Sequence, residues 1–146
     1  MSDTEKVDRL RISAIGAIWG LASALGKEGT EIAAKDLGER FGKLYSAHPG
    51  ETMVEKLGNA FEILHESYSN DYELKIGTKK VIIENKFCNI KMGIMPKVTP
   101  IVGKPVLGSM CDWCTILFPA GAGINGCNLD IELRENGCKW TITKND

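Results

Sequence analysis

At about residue 70 the apolar residues of this chain change their spacing, and the change restricts it to folds that join helices to a sheet. Before that point, Leu10, Ile15, Ile18, Trp19, Ala22 and Leu25 recur at steps near three and four across residues 5–26, as in an amphipathic helix. Thr30 and Glu31 can open a second helix, with Ile32, Leu37, Phe41 and Leu44 as its stripe, and His48-Pro49-Gly50 stops it. A third is predicted from Glu51, with Val54, Leu57, Phe61 and Leu64 on one face. Beyond it the period drops to two. Tyr72–Ile76 and Val81–Glu84 flank Gly77-Thr78 as a hairpin. Cys88, Ile90 and Met92 alternate as one face of a further strand, followed by a loop from Gly93 to Gly108. Leu129, Ile131 and Leu133 alternate toward Asn136-Gly137, and Cys138, Trp140 and Ile142 alternate on return. A two-residue turn there, with positive φ, sets Leu133 opposite Trp140 and Ile131 opposite Ile142. The class is α+β: N-terminal helices packed on an antiparallel sheet.

At 146 residues the chain has the size of a single domain, with a helical half over about 5–67 and a sheet half over about 71–144. Its net charge of −1 supplies no electrostatic drive toward nucleic acid or a membrane surface. A helix-turn-helix over residues 29–66 would put Glu51–Glu66 in the major groove, where its four glutamates against Lys56 repel phosphate. The polar N-terminus has no apolar core of a signal peptide, and no run approaches the roughly 20 apolar residues of a bilayer span. A cytoplasmic protein is expected, and in that compartment clustered cysteines point to metal or redox chemistry before disulfides.

Four of the five cysteines fall within 28 residues: Cys111, Cys114, Cys127 and Cys138. Cys111-Asp112-Trp113-Cys114 gives two thiolates a bite suited to one tetrahedral metal or one disulfide. Residues 111–124 read as a buried helix, although Pro119, Gly121 and Gly123 weaken its second half, or as an irregular loop. A helix of this length spans roughly 20 Å, about the length of the strand that follows. A helix therefore returns Cys138 to the side of Cys111 and Cys114, with Cys88 as the favoured fourth ligand, and strands Cys127 at the far end. A loop would readmit Cys127. Zinc or an iron–sulfur cluster is the expected cofactor; redox thiols and plain buried thiols are the alternatives.

The remaining features carry less. His48 reads as a loop residue, and His65 as a helix-end residue where a partial positive charge suits the dipole. Gly121-x-Gly123-x2-Gly126 has the letters of a dinucleotide loop but precedes a strand rather than following one. Gly16/Gly20 and Gly38/Gly42 share a four-residue spacing that suits close helix–helix approach within the chain or in a homodimer. No convergent acid–base set is visible, so an enzyme is the lesser expectation.

With helices first, then a sheet, then a cysteine-bearing segment before a final Gly137-Cys138-Lys139-Trp140 strand, the chain resembles the 4-vinyl-reductase-like domain family. In that resemblance Cys111 or Cys114, Glu132 and Cys138 hold the family's cysteine, acid and cysteine places, and Trp140 its aromatic. Where the family has another cysteine near the end of the penultimate strand, this chain has Arg134-Glu135-Asn136. The resemblance implies a fold related to heme-nitric-oxide sensors and vesicle-tethering subunits. It also implies a sensory role in binding an apolar small molecule such as a hydrocarbon. Trp19, Phe41, Phe61 and Met92 are the residues expected to line such a pocket between helices and sheet.

Overall fold

The computed structural model describes residues 1–104, Leu107 and residues 109–146. Its first element, α1 (Asp3–Tyr45), opens on a reciprocal capping box between Ser2 and Glu5. The two helices expected over its length are two arms, broken at Gly26, whose φ of 74° and ψ of −179° interrupt the helical path. The Thr30 hydroxyl donates to the Ala22 carbonyl at 2.9 Å, tying the arms together across the break. Helix α2 (Met53–Ser67) follows, capped by Thr52, whose hydroxyl accepts from the Glu55 amide.

Strands β1 (Asp71–Ile76), β2 (Lys80–Phe87), β3 (Cys127–Leu133) and β4 (Cys138–Lys144) form one antiparallel sheet in the order β1-β2-β4-β3. The last hairpin pairs Leu133 with Cys138, Ile131 with Trp140 and Leu129 with Ile142, two residues away from the expected register. The loop is four residues long, closed by the Arg134 amide on the Gly137 carbonyl at 3.0 Å, and neither Asn136 nor Gly137 has positive φ. An even slip leaves every side chain on its face, so the apolar sets still share one side. Gly137 is required for another reason: a Cβ there would strike the Asn85 carbonyl of β2.

Between β2 and β3 the expectations of a strand at 88–92 and an open loop fail. Residues 90–94 form a single π-helical turn that runs into α3 (Met95–Val102). The Asn89 amide donates to Asn70 Oδ1 at 2.7 Å, and Asn89 Nδ2 donates to the Tyr68 carbonyl at 2.9 Å, which pulls the chain off the sheet. Ile90 and Ile94, four apart, then face the core together. Pro105, Val106 and Gly108 of the expected loop lie outside the described residues.

Helix α4 (Met110–Gly123) is the central element. One side packs in an all-helical core with Ile15, Trp19, Ala34, Val98 and Trp113. The other joins α2 and the sheet, where Phe61, Phe118 and Trp140 meet edge-on or tilted at 5.0–5.8 Å. Near its C-terminal end two backbones touch: Cβ atoms added at Gly42 and Gly121 would lie 2.7 and 2.8 Å from the Gly121 and Gly38 carbonyls. Gly38/Gly42 therefore serve the close approach their spacing predicts. Among the described residues Gly16 has nothing within 4 Å of its Cβ position and Gly20 meets only one Val102 methyl at 3.8 Å, so that pair brings no backbones together.

Candidate functional site

The other end of α4 is built differently. Ser109 and Asp112 cap the helix reciprocally, which places Cys111 in its first turn and Cys114 one turn later on the inward side. Cys138 opens β4, and Cys88 ends β2's extension, held by its amide on the Asn136 carbonyl at 2.8 Å. All four line one cavity of about 40 Å³, together with His65 and Asn85. Cys127, at the start of β3, is buried in the α2–sheet core and lines a separate hollow with Thr52 and Lys144. The separation of Cys127 from the rest follows from α4 being helical, as the length comparison requires.

The four thiols are free. Burial pushes Cys114 well above the ordinary thiol range, and the neighbouring Cys88, Cys111 and Cys138 raise it further. Cys114 keeps some residue surface, but its sulfur is enclosed. Cys138 is pushed up to about 11 by burial, against the opposing effect of its hydrogen bonds. Its Sγ accepts from Trp140 Nε1 at 3.1 Å, with Asn85 Nδ2 at 4.0 Å. Burial also raises Cys111, while Lys91 opposes it. Cys111, Cys114 and Cys138 are therefore held toward the neutral thiol.

Two polar atoms in the cavity wall are unsatisfied. His65 is 1% exposed and Asn85 2%, and among the described residues neither His65 Nε2 nor Asn85 Oδ1 has a hydrogen-bond partner. Asn70 Oδ1 accepts from the Asn89 amide, so its Nδ2 is the donor to His65 Nδ1 at 3.1 Å. The ring is therefore the tautomer with its proton on Nε2. Burial lowers its pKa from 6.5 to about 4, which corrects the sequence expectation of a cation at the helix end. Sequence reasoning passed over Asn85 and read His65 only as a helix-end residue. Asn85 follows Val81 and Ile83 on the inward face of β2, and His65 follows Leu57 and Phe61 on the buried stripe of α2. A polar residue at a core position was the available signal.

Other expected residues are dispersed. Trp19 is solid core among the helices and Phe61 is solid core against the sheet, in two different clusters. Phe41 and Met92 are surface residues, 44% and 38% exposed, so these four residues frame no common pocket. Glu132 is exposed beside Arg134 and pairs with Lys139 on the strand opposite, outside the cavity. Among the described residues no group of three or more His, Cys, Asp or Glu side chains is placed to hold a metal ion. No described helix is long and apolar enough to cross a membrane. Comparison with protein-family models, curated proteins and solved structures finds no match.

Proposed function

We propose that the protein is a sensory domain whose working element is the thiol site at the start of α4, taking a soft metal as zinc or iron–sulfur. The observation that carries this reading is the meeting of Cys88, Cys111, Cys114 and Cys138, from three separate stretches of chain, around one ion-sized cavity. Drug-sized ligands occupy roughly 300–1,000 Å³, whereas about 40 Å³ suits an ion or about three waters. The size favours a metal over the apolar molecule implied by the family resemblance. The chemistry agrees: thiolates are soft ligands, and a cation offsets the desolvation and mutual repulsion that keep Cys114 and Cys138 protonated. The Trp140 N–H directed at Cys138 Sγ is the kind of outer contact that orients a metal-bound thiolate. Loading requires the sulfurs to draw together from their present placement.

Elemental analysis and an absorption spectrum of the anaerobically purified protein test the reading. Colourless zinc or a visible iron–sulfur band supports it. Cys114→Ser and Cys138→Ser are expected to lose the metal, and Cys127→Ser to keep it. A metal-free protein that takes up neither zinc nor iron on reconstitution would sink it.

A further inference from the structure

From Ile12 to Gly26 the first arm of α1 carries no charged residue, fifteen positions in succession. A helix apolar on all sides is covered on all sides in a soluble setting. Here the inner side is covered, by the core that holds Ile15, Trp19 and Ala22, but the outer side is open. Val7, Leu10, Ala14, Ala17, Leu21 and Ala24 follow one another at steps of three and four, and all six are exposed, Leu10 at 69% and Leu21 at 64%. This is the spacing of a coiled-coil seam with small residues at its centre.

We propose that this seam is the contact of a homodimer in which the two first arms pack antiparallel about a two-fold axis. The occupant is a second copy because the seam complements itself when reversed. Positions 10 and 21 are equidistant from its midpoint, as are 14 and 17 and also 7 and 24. Reversal therefore sets Leu10 against Leu21 of the other copy, Ala14 against Ala17 and Val7 against Ala24. The two ends also differ in shape. Val7 and Leu10 project at one end. At the other lies an open apolar hollow of about 270 Å³, lined by Ile18, Leu21, Leu25, Leu37 and Trp113 beside the Gly26 break. Each copy offers the projection and receives it, as an isologous contact requires. The pairing differs from the Gly16/Gly20 contact that glycine spacing suggests, and it is independent of the thiol site.

Sedimentation equilibrium of the full chain tests it. The wild type is expected as a dimer, and Leu21→Glu is expected to weaken association at least tenfold. Combining Leu10→Lys with Leu21→Glu is expected to recover the dimer, because the antiparallel register sets the new lysine against the new glutamate. Recovery distinguishes this register from a parallel one, which would stack like charges. Both side chains point to solvent, so folding is expected to persist, with circular dichroism as the check; Ala17→Glu replaces Leu21→Glu if that variant unfolds. A wild-type monomer at the highest soluble concentration, an unchanged mass in folded Leu21→Glu, or no recovery in the double variant would each overturn the proposal.

Discussion

The two ends of helix α4 are solved by opposite means. At the C-terminal end three glycines let backbones meet, and Asn125 Nδ2 donates to both the Gly42 and Gly121 carbonyls at 2.8 Å. Cys127 lies near that end as a buried core residue, its thiol donating to the Asn125 carbonyl at 3.7 Å, apart from the other four cysteines. At the N-terminal end the neighbouring elements are held apart by side chains, a cavity remains, and His65 Nε2 and Asn85 Oδ1 find no partner among the described residues. A buried donor or acceptor without a partner costs about 1–3 kcal/mol, so such a site persists at the expense of stability. Close backbone packing lies at one end of the helix and the polar-walled cavity at the other.

The comparison breaks first at the glycines. Gly38→Val drives a side chain into the Leu117 carbonyl and is expected to cost about 3 kcal/mol or more, read by urea denaturation. A variant as stable as the wild type would mean the two helices do not touch there.

Next is the pH dependence of the cavity end. Because burial depresses the folded pKa of His65 from 6.5 to about 4, the unfolded chain takes up this proton first as pH falls. Stability is then fully present above pH 6.5 and declines toward pH 4, by up to about 3 kcal/mol from this group. Denaturation across that window in wild type and His65→Leu checks it: the variant is expected to have the flatter profile. An equal slope in both would place the imidazole in water.

A smaller effect separates the thiols from ordinary packing. Cys138→Ala removes the acceptor of the Trp140 N–H and is expected to cost about 1–2 kcal/mol in metal-free protein. Cys138→Ser supplies an oxygen acceptor and should recover part of that loss in stability. Thermal unfolding of the two variants side by side gives the answer.

The smallest effect sharpens the contrast among glycines. Gly16→Ala meets no atom and replaces a poor helix former, so it is expected to stabilise the chain by up to about 1 kcal/mol. It shares its spacing with Gly38, and the opposite sign of the two substitutions isolates tertiary contact as the cause.

Local pattern by itself determined the two arms of α1, helix α2, both hairpins and the parity of the sheet, but not α3. Residues such as Leu57 and Phe61, or Ile131 and Ile142, carry the period of their own element, and a two-residue error in register leaves parity intact. Pattern separated Cys127 from the other cysteines only on the helical reading of residues 111–124, because helical and strand rises fix how far a chain travels before it returns; the structure chose that reading over the loop. Only the tertiary structure decided what has no period. The π-helical turn after Cys88 depends on Asn70 and Tyr68, some 20 residues away, and Asn89's hydrogen bonds to them override an alternating sequence. The tautomer and neutrality of His65 depend on that same asparagine pair and on burial under Trp140 and Tyr72. The identity of the two glycine pairs in sequence, and their difference in use, has the same origin: whether a backbone lies opposite is decided by elements far away in the chain.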